Sequence, residues 1–142
     1  STVKAKPGAF TYGSSGIGST HHLTMEALKH ALQLDVRHIP YRGSGQSTPA
    51  LVGGQVEFSV AALPSMLGFY NNGQVKLLAS NAIARSPQAP TIPTIAETVP
   101  GFDFSVAIGV LAAGNTPPYA IERISKEIAE AVKHPELVRK FQ

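Results

Sequence analysis

The sequence predicts an α/β fold: a mostly parallel sheet flanked by helices. Two observations carry this. From Phe10 to Ser80, short β-prone runs alternate with segments whose apolar residues recur at helical spacing. Two strand-to-helix junctions, Tyr12–Leu23 and Tyr41–Ser47, are rich in glycine and hydroxyls. Strands separated by helices in this rhythm pair in parallel, and ligands of such sheets gather at the C-terminal strand ends.

Phe10–Tyr12 is the first strand, entered from the polar turn Lys4–Gly8. From Ser19 to about Leu34, residues Leu23, Ala27, Leu28, Ala31 and Leu32 predict a helix with one buried face. Val36–Pro40 is the second strand, and a helix through Ala50 and Leu51 follows, stopped by Gly53 and Gly54. Val56–Ala62 alternates and then turns apolar, as a buried strand does. Pro64 starts a helix to about Tyr70, ended at Asn71-Asn72-Gly73, and Val75–Ser80 reads as a fourth strand. Ser86–Pro93 holds three prolines and predicts an irregular segment before a short helix at Thr94–Val99. Phe104–Ala112 returns to strand character. An amphipathic helix from about Tyr119 to Lys133 follows, with Ile121, Ile124, Ile128 and Val132 on one face. His134-Pro135 opens a last helical segment with Leu137, Val138 and Phe141 apolar.

Composition narrows the function. The 142 residues are 43% hydrophobic, enough to bury a core. Twelve Lys and Arg against nine Asp and Glu give a net charge of only +3, and the basic residues are scattered, so a nucleic acid finds no stripe to hold. The lack of cysteine removes disulfide frameworks and thiolate metal sites without assigning a compartment. No apolar run approaches the ~18 residues of a membrane span, and no leader precedes Ser1; a mature or excised chain is expected.

The glycine turn is where chemistry concentrates. Its glycines allow positive φ and close backbone approach, and Ser19 or Thr20 suits the cap of the following helix, whose first N–H groups lack partners. A carboxylate or phosphate fits that end of a helix. The same stretch also fits an ordinary strand-to-helix turn that binds nothing. Gly13, Gly16 and Gly18 spell G-x-x-G-x-G, one residue short of a dinucleotide-binding turn. No tyrosine is followed four residues on by lysine, the serine-hydrolase elbow G-x-S-x-G fails at Gly16, and no phosphate loop G-x-x-x-x-G-K-[ST] occurs. An enzyme reading lacks a nucleophile–base pair at recognisable spacing. His22, Glu26 and His30 line one helix face, but eight residues of helix separate the two histidines by about 12 Å, too far to share one metal ion. A single His–Glu pair, a solvated face or a packing histidine remain as readings of that row.

Five blocks, taken in order, carry a resemblance. They are Tyr12–Leu23 (Tyr-Gly-Ser-Ser-Gly-Ile-Gly-Ser-Thr-His-His-Leu), His38–Gly45, Leu51–Glu57, Leu63–Ser65, and Arg85–Pro87 with Pro90–Thr94; the Gly114–Pro117 turn before the last long helix agrees too. Over nearly the whole chain they resemble the tripartite tricarboxylate receptor family, the Bug-type periplasmic solute-binding proteins. The resemblance implies a type II periplasmic-binding-protein lobe with additional C-terminal helices, from a two-lobed flytrap. Such a protein closes on a small carboxylate and hands it to membrane transporter subunits or a sensor kinase, with no catalytic residue, cofactor or metal. It implies that residues 1–103 form the second lobe and residues 104–142 a crossover strand and helices packing on the first. The family's N-terminal part and C-terminal tail are not in this sequence, so a fragment with half a cleft is expected, self-associating through the helices bearing Ile121, Ile124, Ile128, Leu137 and Phe141.

By the same resemblance, Ser14, Ser15, Ser19 and Thr20 donate to one ligand carboxylate, and Gly16 and Gly18 shape the approach. Tyr41, Arg42 and Gly43 line the next strand end, although Arg42 equally suits a surface ion pair. Ala61 and Ala62 stand where many relatives carry Asp-Asn, which disfavours an amino acid and leaves a dicarboxylate or an aromatic acid. A sensor-input or interaction module of the same fold is the alternative.

Overall fold

The computed structural model describes residues 2–87, 89–106 and 109–141. The chain divides into two compact units, Ser1–Ser105 and Val106–Gln142.

The first unit is a three-stranded parallel sheet flanked by helices, as the alternation predicts. Strand β1 (Phe10–Ser14) is central, with β2 (Val36–Pro40) on one side and β3 (Phe58–Ser59) on the other. Phe10 pairs with Val36 through to Ser14 with Pro40, and Tyr12 and Gly13 pair with Phe58 and Ser59. Helices α1 (Thr20–Leu32), α2 (Ser44–Val52) and α3 (Leu63–Asn71) each follow one strand. The core is Tyr12, Met25 and Val36, with Phe10, Leu28, Leu34, Phe58 and Val60 packed against it. Gln33 ends α1 in the left-handed region, its N–H reaching the carbonyls of Lys29 and His30.

Several expectations need correction. The α1 stripe holds only in part: Ala27, Leu28 and Leu32 are half-buried, but Leu23 and Ala31 are exposed and the buried positions are Thr24 and Met25. The third strand shrinks to Phe58–Ser59, with Val60 adding one bond to β1. Val75–Ser80 forms no strand, and its single bridge joins Ser80 to Thr94. The helix expected at Thr94–Val99 is one 3-10 turn, Ile95–Glu97, started by a bond from the Thr94 N–H to Glu97 Oε1 (2.9 Å). Arg85 clamps that turn through the Glu97 carboxylate. In the irregular segment Ser86–Pro93, Gln88 lies outside the described residues.

The strand expected over Phe104–Ala112 is absent among the described residues, Ala107 and Ile108 lying outside them. Its start is held by Asn81, whose carbonyl accepts the Phe104 N–H and whose Nδ2 donates to the Phe104 carbonyl. β-propensity is local, but a strand exists only where a neighbour supplies a ladder.

The second unit holds α4 (Pro118–Ala131) and α5 (Pro135–Phe141). Pro118 begins α4 at a position where a missing N–H costs no helical bond. The apolar stripe is present, and Ile121, Ile124, Ile128 and Val132 are all exposed. No helix among the described residues is long and apolar enough to cross a membrane.

Candidate functional site

Because the three strands are parallel and adjacent, the turns leaving them lie side by side at one sheet edge. These are 15–19 after β1, 41–43 after β2 and 60–62 after β3. Neighbouring turns brace the first. The Tyr41 N–H donates to the Ser14 carbonyl (3.0 Å) and the Gly43 N–H to that of Ser15 (3.3 Å). From the β3 side, the Val60 N–H (3.2 Å) and the Ser59 hydroxyl (3.3 Å) donate to the Gly13 carbonyl.

Within the β1 turn, most hydroxyls are already engaged. Ser14 is fully buried, and its Oγ lies 2.7 Å from His38 Nε2, accepts the Gly16 N–H (3.1 Å) and sits 3.2 Å from the Gly16 carbonyl. One hydroxyl proton serves one of those two acceptors, so Ser14 shapes the turn from beneath. Ser15 Oγ is 2.6 Å from His21 Nδ1. Ser19 is the N-cap of α1: its Oγ donates to the Gly16 carbonyl (2.7 Å) and accepts the His22 N–H (3.2 Å). Thr20 is exposed as the first helical residue. Among the described residues, the Thr20 and His21 N–H groups make no hydrogen bond, as expected of a helix start.

Gly16 and Gly18 hold φ of +128° and +77°, a region L-residues rarely enter. At Gly18 an added Cβ meets nothing within 4 Å beyond the adjoining residues, so the turn is open on that side. Ile17 is exposed at the tip.

The flanking turns supply the rest. A Cβ on Gly13 would stand 3.2 Å from the Tyr41 ring and 3.5 Å from Ser47 Cβ, so glycine there lets Tyr41 lie against the central strand. Arg42 is exposed and makes no ion pair among the described residues; its N–H donates to Gln46 Oε1 (3.1 Å). Gly43 caps α2 with its carbonyl, which accepts the N–H groups of Gln46 and Ser47. Ala61 is half-buried and Ala62, exposed, precedes α3.

Three rings, Tyr12, His38 and His22, stack next to the turn, and the sequence offered only a packing role for His22 and none for His38. His38 stacks on Tyr12 at 4.7 Å and on His22 at 4.2 Å, and His22 Nδ1 accepts the Gly18 N–H (3.2 Å). Burial, then the neighbouring His22, holds the His38 imidazole below its ordinary value; burial does the same for His21. Glu26 accepts from the Tyr12 hydroxyl (2.8 Å) and Lys29 (2.7 Å). Burial pushes the Glu26 carboxyl up, but those two bonds bring it net below the usual range; burial and then Glu26 raise the Tyr12 phenol.

The expected His22–Glu26–His30 row is thus divided: His30 is exposed, Glu26 bonds Tyr12 and Lys29, and His22 faces His38. Among the described residues no three His, Cys, Asp or Glu side chains group to hold a metal ion. The ring stack had a signal: Tyr12 and His38 each stand two residues before a strand end, and parallel pairing makes them neighbours. Ser15 and His21 form a nucleophile–base contact that the spacing did not announce. No third residue among the described ones orients His21, so the pair falls short of a catalytic triad.

Comparison with known proteins agrees with this architecture. A family model described as the tripartite tricarboxylate transporter family receptor matches residues 1–142. A UPF0065 protein from the gbd 5' region of Cupriavidus necator is 36% identical over 133 residues, covering 94% of this chain and 40% of its own length. Protein BugT of Bordetella pertussis is 32% identical over 139 residues, covering 97% of this chain and 43% of its own length. A solved R. palustris protein with adipate superposes with a TM-score of 0.92 at 28% identity, over 98% of this chain and 47% of that one. The chain therefore spans roughly two-fifths of these curated relatives.

Proposed function

We propose, from the premise that this chain belongs to the tripartite tricarboxylate transporter receptor family, that its β1 turn binds one carboxylate of a small organic acid. The observation that carries this is the turn's open side. The Thr20 and His21 N–H groups at the start of α1 stand unpaired two and three residues past Gly18, where nothing beyond the adjoining residues lies within 4 Å of an added Cβ. Backbone donors at a helix start favour an anion, and charge-assisted hydrogen bonds contribute about 1.5–3 kcal/mol each. Thr20 remains as a side-chain donor and Ser15 would join it by exchanging its contact with His21, while Ser14 and Ser19 hold the turn's shape. Gly16 and Gly18 keep the approach clear, and Tyr41, Arg42, Gly43, Ala61 and Ala62 line the flanks.

The ligand class follows from charge and size. With Ala61 and Ala62 the β3 turn offers no carboxylate for an ammonium, so a dicarboxylate or an aromatic acid fits better than an amino acid. The similar R. palustris protein holds adipate, a dicarboxylate. Residues 1–103 act as one lobe of a two-lobed receptor and residues 104–142 as the return toward the other. The receptor works in the periplasm and delivers its ligand to the membrane subunits of a tripartite transporter. No catalytic step is assigned.

Thermal-shift screening of the full-length protein tests this, with diacids, aromatic acids and amino acids as the panel and calorimetry on each hit. At a hundredfold excess over Kd a ligand stabilises the folded state by about 2.7 kcal/mol, well above detection. A diacid or aromatic acid is expected to register. A panel in which only amino acids stabilise, or none does, overturns the reading.

A further inference from the structure

We propose that His22 is a positioning residue of the β1 turn, its Nδ1 fixing the Gly18 peptide by accepting its N–H while His38 braces the imidazole from behind. This rests on the carboxylate reading above and adds what keeps that site in shape. The Gly18 peptide lies in a positive-φ turn with no other bond to its N–H among the described residues, so the 3.2 Å contact to His22 is what fixes its direction. His22 is the third residue of α1, and its own N–H is held by the Ser19 cap. Turn and helix start are thereby joined through one imidazole. Its ring is held in turn by the stack on His38, whose Nε2 contacts Ser14 Oγ, the hydroxyl that also receives the Gly16 N–H. A closed chain results, Gly18–His22–His38–Ser14–Gly16.

The chemistry of the acceptor gives the chain a consequence. An imidazole that accepts at Nδ1 carries its proton on Nε2, and a second proton placed on Nδ1 would face the Gly18 N–H donor to donor. Protonation therefore releases the Gly18 peptide. The charged and titratable groups facing His22 are His38 on β2 and Glu26 on α1, with Lys29 on α1 and Tyr12 on β1 reaching it through them.

Two substitutions separate acceptor from ring. His22→Asn keeps an acceptor near the place of Nδ1 and removes the ring, whereas His22→Phe keeps the stack on His38 and removes the acceptor. With adipate as probe in the full-length protein, the proposal expects His22→Phe to bind about tenfold or more weakly and His22→Asn within about threefold of the wild type. Binding by the wild type should also weaken on acidification more than binding by His22→Asn, a comparison that cancels the titration of adipate itself. If His22 served packing alone, Phe would bind normally and Asn would fail; that result overturns the proposal. A readout without ligand guards against misfolded variants or a wrong ligand class. Two-bond proton–nitrogen spectra of the wild-type histidines at neutral pH should show His22 protonated at Nε2, with the Gly18 amide shifting as the ring titrates. A proton on Nδ1 at neutral pH, or an unresponsive Gly18 amide, overturns it too. Failure of adipate to bind alongside the expected spectra would instead count against the proposed ligand class.

Discussion

Gly18→Val tests the site most directly because its two effects separate. At φ +77° an L-residue costs about 1–2 kcal/mol, and a β-branched one sits at the upper end. No steric cost adds to that, since a Cβ there meets nothing within 4 Å. The stability loss should therefore be small, a few degrees in Tm. Binding should suffer far more. The valine methyls would occupy the space a carboxylate needs to reach the Thr20 and His21 N–H groups, and losing two charge-assisted bonds at about 1.5–3 kcal/mol each weakens affinity at least about a hundredfold. Gly54 is a matched control. It has φ +70° with equally open space, and lies at the far end of α2, about 13 Å of helix from the site edge. Gly54→Val should lose similar stability and bind normally. Urea unfolding and calorimetry with adipate on both variants give the comparison. A folded Gly18→Val that binds within about threefold of the wild type, or a Gly54→Val equally impaired, refutes the reasoning.

Three further outcomes are expected. Ser19→Ala removes both the cap on His22 N–H and the bond to the Gly16 carbonyl, costing about 1 kcal/mol of stability and less affinity than Gly18→Val; equal or greater loss of binding would place the ligand on Ser19 itself. Because His21 and His38 are held below the ordinary imidazole value, the unfolded chain takes up protons the folded one refuses, and stability should fall as pH drops below about 6.5. Urea midpoints at pH 7.5 and 5.5 check this, and equal midpoints contradict it. The exposed Ile121, Ile124, Ile128 and Val132 favour association of the 142-residue chain by itself, visible by light scattering; a monomer at high concentration with these side chains protected counts against it.

What the sequence disclosed, and what it withheld, divides along local and non-local lines. The placing of β1, α1, β2, α2 and α3 follows from periodicity, glycine stops and Pro64, all signals within a few residues. Val75–Ser80 and Phe104–Ala112 have equal strand character, yet one makes a single bridge and the other hangs on Asn81, because no described strand offers either a ladder. In α1 the expected face holds at Leu28, which packs against the core, but Leu23 is exposed and Met25, outside that stripe, joins Tyr12 in the core. At the site, glycine positions were legible from composition. Which hydroxyls are free was not: Ser14 is consumed by His38, a residue 24 positions away, and Ser15 by His21. The imidazoles entered the site through tertiary packing that no local pattern reports.

That distribution of hydroxyls bears on where selectivity resides. If the β1 turn holds a carboxylate as proposed, its grip comes chiefly from backbone N–H groups, with Ser14 and Ser19 facing inward to keep the glycines in place. Backbone donors are the same in every sequence and recognise any carboxylate alike, so they set affinity for the anion and discriminate little between acids. Discrimination then falls to what stands beside the turn. Tyr41 is pinned against Gly13 and offers a rigid wall, Arg42 is exposed with no ion pair among the described residues, and Ala61 and Ala62 leave the β3 side uncharged. A rigid aromatic, a free cation and a neutral flank together favour a ligand with a second negative charge or an apolar body over one bearing an ammonium. On the proposed reading the turn of the central strand supplies what all ligands of the site would share, and the two strands beside it supply the difference between them.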